Sequence, residues 1–189
     1  MKKYTKQNLA VPLIGEFAPV LVNIIGTCNE DGTLHLCGAS AVSFTLGPPE
    51  SIVFSTFVQP TIDNIKRTGE FTLNMCTGDM MQMVEQICTI HESAEQDNSL
   101  YSFEWGAKIH APVLDASPFV CECKVTQSHK YGDSIIFIAE IVNQQICKEL
   151  DKPVDSSIGA YVEWLENVNV NDLDPLLWLG NYHKIGKII

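Results

Sequence analysis

Apolar and polar positions alternate along most of this chain in short, strand-sized runs. "PVLVNIIGTC" and "LHLCGASAVSF" read as two strands. Between them, Asn29-Glu30-Asp31-Gly32 carries turn chemistry, with Gly32 suited to positive φ. "ESIVFSTF" is a third strand, entered through Gly47-Pro48-Pro49. "EFTLNMC" is a fourth, with Phe71, Leu73 and Met75 alternating against Thr72, Asn74 and Cys76. "FVCECKVTQSHKYGDSIIFIAEIVNQQIC" forms a hairpin around Lys130-Tyr131-Gly132-Asp133.

Two segments carry helical spacing instead. In "TIDNIKRTG", Ile62 and Ile65 share a face and Gly69 stops the helix. In "DMMQMVEQICTI", Met80, Met83, Val84 and Ile87 recur at the same period. "HESAEQDNSLYSFEWG" is polar and irregular, and reads as a loop or excursion. The tail "LDPLLWLGNYHKIGKII" is apolar and aromatic, which predicts that it packs on the rest. The pattern predicts a mainly β chain: an antiparallel barrel of at least six strands with short helices, forming a single domain over 1–189. A doubly wound sheet would need a helix between successive strands, and these turns are too short for one.

Composition narrows the partners. The chain has 12 basic against 23 acidic residues, a net charge of −11, and no basic stripe. Nucleic acid and anionic lipid are therefore unfavourable partners. A small anion is still allowed, because a few backbone amides can hold a phosphate locally. No apolar run is long enough to cross a bilayer, and none follows Met1-Lys2-Lys3 as a secretory leader would require. The seven cysteines are odd in number and sit mostly in apolar runs. This points to buried free thiols in a reducing cytoplasm. Cys121 and Cys123 share a strand face without a second ligand pair, so core packing is expected there and no metal site.

Two stretches carry candidate chemistry. In "VFSTFVQPTIDNIKRTGEF" a strand end meets a helix start. The Thr61 hydroxyl, the Asn64 amide and free helix amides can converge on one oxyanion, while the plainer reading of Thr61 is an N-cap. Arg67, the sole arginine, lies nearly two turns further on, where a surface or subunit contact is expected. In "GASAVSFTLGPPES", Gly38, Ala39, Ser40 and Ala41 leave room for a flat ligand, or else relieve a crowded interior.

Taken in register, "DGTLHLCGASAVSFTLGPPESIVFST", "PTIDNIKRTGEFTLNM", "FVCECKVTQSHKYGDSIIFIAEIV" and "DPLLWLGNYHKIGK" resemble the flavin reductase-like, FMN-binding split-barrel family, near its flavoredoxin type. The resemblance implies a six-stranded antiparallel Greek-key split barrel that forms a homodimer with FMN near the interface. It implies that His35, Ser40, Ala41, Val42 and Ser43 lie along the flavin, with Ala41 where an aromatic residue is common. Ser55, Thr56, Thr61 and Asn64 would serve the phosphate, and Trp178 and Tyr182 would cover the site. Gln59-Pro60 stands where relatives often carry a basic residue, and Gly132-Asp133-Ser134 where they often read Gly-Asp-His.

The implied activity is an FMN-dependent oxidoreductase that passes electrons from reduced nicotinamide to an acceptor the sequence does not name. The flavin carries the chemistry, so no catalytic side chain is named. With one arginine to clamp a 2′-phosphate, NADH is expected over NADPH. The alternatives are a non-catalytic module holding flavin or haem on the same barrel, and a dimerising domain without ligand.

Overall fold

The computed structural model describes residues 20–45, 47–89, 101–147, 174–178 and 182–184, together with Lys3 and Thr5. The expectations for the rest of the chain, including the stretch 90–100, lie outside these residues.

Strands β1 (Val20–Leu21), β2 (Asn23–Cys28), β3 (Leu34–Ala39), β4 (Val42–Thr45) and β5 (Ser51–Thr56) lead into helix α1 (Gln59–Thr68). Strand β6 (Glu70–Met75) follows, then a 3-10 turn (Gly78–Met80) and helix α2 (Met81–Thr89). The chain continues with β7 (Phe103–Trp105), β8 (Pro112–Leu114), β9 (Phe119–Tyr131) and β10 (Ser134–Ile146). Two short strands, β11 (Leu176–Trp178) and β12 (Tyr182–Lys184), complete the described residues.

The main sheet is antiparallel, in the order β3-β2-β6-β9-β10-β5-β4. Its outer members, β3 and β4, are consecutive in the chain and joined by Ser40 and Ala41 alone. So short a link reaches only if the two edges have curled towards each other. The seventh strand arises because the predicted run "LHLCGASAVSF" breaks at Ser40-Ala41 and crosses from one edge to the other. The sheet is thus a half-closed barrel of the predicted kind.

The interior holds Ile25, Phe54, Phe71, Leu73, Phe137 and their neighbours, with Ile62 and Ile65 of α1 closing one end. Three phenylalanines meet there, Phe54 lying 4.9 Å from Phe71 and 5.4 Å from Phe137 between ring centres. A second cluster lies on the other side of β2 and β3, where Ile24, Leu34 and Leu36 meet Val84 and Ile87 of α2. β2 is therefore buried along its whole length. Its side chains include no charged group, as a strand covered on both faces requires.

The turns follow their residues. Gly32, Gly69 and Gly132 adopt φ of 82°, 70° and 58°, values that glycine reaches without a Cβ penalty. Gly69 ends α1 by returning its N–H to the Ile65 carbonyl at 2.7 Å. The start of α1 differs from expectation. It begins at Gln59, with Val58 as the N-cap residue and Pro60 in the first turn. Proline is tolerated there because that N–H needs no helical partner.

The alternation in β6 predicts one apolar and one polar face, yet Thr72 and Asn74 are fully buried too. The cause is the β7–β8 hairpin laid over them. Thr72 Oγ1 donates to the Pro112 carbonyl, and Asn74 Oδ1 accepts the Leu114 N–H at 2.9 Å. The tail packs as predicted over its described part. Leu176 is buried, β11 pairs with β1, and Leu176 N–H donates to the Cys76 carbonyl at 2.8 Å.

Candidate functional site

The candidate residues separate into an outward ledge and an inward network. The ledge begins where β3 ends. Ser40, Ala41 and Ser43 are exposed, whereas Val42 turns in and packs against the barrel interior. Ala41 is held by its carbonyl, which accepts the Ser55 N–H at 3.3 Å. Register pairs Ser43 with Val53, so Ser43 and Ser55 lie on the outer face of the sheet. Among the described residues the hydroxyls of Ser40, Ser43 and Ser55 have no hydrogen-bond partner.

The space that the small residues suggested is only partly open. A Cβ on Gly38 would overlap Cys88 Sγ, so that glycine accommodates α2. Ala39 packs against the interior. Ser40 and Ala41 are the small residues left facing outward.

The inward network ties α1 to β2 and β3. Thr61 is fully buried, so the N-cap expected of it falls to Val58. Its Oγ1 lies 2.9 Å from His35 Nε2 on β3. Asn64, also buried, donates through Nδ2 to Thr27 Oγ1 at 3.1 Å and to Asn29 Oδ1 at 2.8 Å. Thr56 Oγ1 accepts the Val58 N–H at 3.1 Å and so sets the entry into the helix. Burial pushes the Cys37 thiol up, against a smaller opposite pull from the Thr61 and Thr56 hydroxyls beside it. Arg67 is exposed, and its guanidinium is engaged within the chain: it donates to the Cys28 carbonyl and, at 3.4 Å, to Asn64 Oδ1. It pins the helix to the β2–β3 turn.

Trp178 and Tyr182 are opposed across β11 and β12, and Trp178 also pairs with Val20 of β1. Ala39 is opposite Asn23, so this small sheet stands at the end of β2 that adjoins the ledge. The structure therefore gathers His35, Thr56, Thr61 and Asn64 in one network and Ser40, Ala41, Ser43 and Ser55 on one ledge, with the tail's backbone alongside.

Sequence reasoning missed Glu122. This residue is fully buried in β9. Its carboxylate accepts N–H bonds from Ala107, Lys108 and Ile109 at 3.1, 2.7 and 3.2 Å. Asn143 and Gln145 add side-chain bonds at 2.7 and 2.9 Å. The available signal was a lone charge inside the apolar run "FVCECKV". Cys121 and Cys123 flank it as buried free thiols, as expected, with burial pushing Cys121 up to about 12 and Cys123 further. No group of metal-ligating side chains occurs among the described residues. None of the described helices is long and apolar enough to cross a membrane.

Known proteins agree with this architecture. The chain is 26% identical over 153 residues to an uncharacterized protein of Methanothermobacter thermautotrophicus, covering 74% of this chain and 69% of the relative. The flavoredoxin of Methanosarcina acetivorans superposes with a TM-score of 0.79 at 18% identity, covering 100% of this chain and 94% of that one. The flavoredoxin of Desulfovibrio vulgaris (Miyazaki F) gives 0.79 at 19% identity, over 98% and 96%. At such identities these two likenesses speak for the fold. Residues 17–186 match the model of the flavin reductase like domain, and the chain belongs to that family.

Proposed function

We propose that this protein binds FMN and works as an oxidoreductase, passing electrons from reduced nicotinamide through the flavin to an acceptor. The observation that carries the reading is the coincidence of family and ledge. The family match spans residues 17–186, and the stretch 40–43 presents unpartnered hydroxyls beside the start of α1. These residues fit a flavin. Ser40, Ser43 and Ser55 offer hydroxyls to the polar edge of a ring, and Ala41 offers a surface without bulk.

FMN, when bound, supplies a ring that exchanges a hydride with nicotinamide and passes electrons on. The chain's own task is placement. His35, Thr61 and Asn64 hold α1 against β2 and β3, so its first turn keeps a fixed position beside the ledge. Thr56 fixes the turn into that helix. Trp178 and Tyr182 belong to the strand pair at the same end, where the tail would screen the ring from water. No side chain is required as acid or base. NADH is the preferred donor, because the single arginine is already bonded to the Cys28 carbonyl.

The protein works as a homodimer. Phe57 is 70% exposed, and Val53, Ile136 and Ile138 stand half-buried on the outer face of β5 and β10. Such a surface is suited to burial against a second copy. The free cysteines suit a reducing cytoplasm.

The test is spectroscopic. The purified protein should be yellow or quench added FMN fluorescence, and NADH should bleach the flavin band without oxygen. FMN bound without bleaching would leave a carrier in place of a reductase, and a Soret band in place of flavin absorbance would point to haem. Light scattering on an eluting peak should give twice the chain mass.

A further inference from the structure

We infer that the 5′-phosphate of a flavin adds little to binding by this chain, so that unphosphorylated riboflavin is held about as well as FMN. The inference rests on the flavin-binding reading above and concerns the start of α1, where the phosphate would lie.

Most of the donors at that helix start are already engaged. The Val58 N–H goes to Thr56 Oγ1 at 3.1 Å, and the Ile62 N–H to the Val58 carbonyl at 3.1 Å. Pro60 has no N–H to give. The amides of Gln59 and Thr61 remain as backbone donors of the first turn. The side chains are committed too. Thr61 is fully buried against His35, and Asn64 spends both Nδ2 hydrogens on Thr27 and Asn29. The Gln59 amide donates to Asp63 Oδ1 at 2.6 Å, which brings a carboxylate rather than a cation to the opening of the helix. Arg67 is bonded to the Cys28 carbonyl at the far end of α1. Tight phosphate binding draws on charge-assisted donors such as Arg or Lys, and among the described residues none stands here. The net charge of −11 further opposes a dianion and leaves a neutral flavin unaffected. The ring-facing ledge is the reverse case, with three hydroxyls unpartnered among the described residues. Recognition therefore falls on the isoalloxazine and its immediate chain.

The experiment titrates the full-length protein with FMN and with riboflavin at physiological ionic strength, reading quenched flavin fluorescence. The expected dissociation constants differ by less than about fivefold. A larger preference for FMN overturns the inference and leaves the flavin-binding reading intact. If neither flavin is bound, the reading itself fails. A gain-of-function variant supplies the second arm. Gln59→Lys combined with Asp63→Asn removes the carboxylate that would otherwise pair with the new lysine one turn on and places a cation at the helix start, so FMN affinity should rise by about fivefold or more with riboflavin unchanged. An equal gain for both flavins, or no gain for FMN, overturns the inference.

Discussion

Glu122 is a buried charge met by five neutral donors rather than by a cation. Burial pushes its carboxyl up, but the bonds from Asn143, the Lys108 amide, Gln145 and the Ala107 amide together hold it below the usual range. The folded-state pKa thus lies under that of the unfolded chain. The stabilisation is complete above the ordinary glutamate value of about 4.3 and is lost as pH falls through the depressed one. Glu122→Gln should lower stability by roughly 2–4 kcal/mol near neutral pH, because an NH2 group then faces donors that have nothing to bond. Urea midpoints at neutral and acidic pH check this, and the gap between the two proteins should narrow at the acidic end. An unchanged gap would deny the carboxylate its role. The residue itself could be noticed in "FVCECKV", but its partners could not. They come from the 107–109 loop and from the neighbouring strand at 143 and 145, which only the long-range pairing brings together.

Among elements, the loop geometry was readable because it depends on one residue at a time. Gly32, Gly69 and Gly132 each sit at the positive φ that their turns demanded. Element starts and coverings were harder. The β7–β8 hairpin has only three residues per strand, too few for alternation to show. The buried polar face of β6 is intelligible only once that hairpin is in place. The small residues of β3 also had two causes that the chain pattern could not separate. Gly38 makes way for Cys88, whereas Ser40 and Ala41 face outward. Gly38→Ala should therefore cost roughly 1–3 kcal/mol through overpacking, and Cys88→Ala in the same chain should relieve much of it. A double-mutant cycle by chemical denaturation measures that coupling, and strict additivity would mean that α2 does not press on this point. Ser40→Val, by contrast, should leave folding stability within about 0.5 kcal/mol, as for surface substitutions generally, while weakening flavin binding in a fluorescence titration.

For the molecule as a whole, the mainly β architecture, antiparallel pairing and family could be read from the sequence because four segments lay in register along it. The division between ledge and network could not, since it depends on which way each side chain turns from the curled sheet. Thiol reactivity reports the same division. Cys88 and Cys147 are half-buried, and the other five cysteines are buried. Native protein at mildly alkaline pH should therefore release no more than two thiols quickly to an aromatic disulfide reagent, and all seven after unfolding. Rapid reaction of Cys121 or Cys123 would contradict their burial. The two-residue passage at Ser40-Ala41 joins the opposite rims of the sheet and forms the middle of the proposed flavin ledge. A molecule resting on that passage would act as a clasp. Its arrival should slow amide deuteration in β3 and β4 together, although these strands stand at opposite ends of the sheet order.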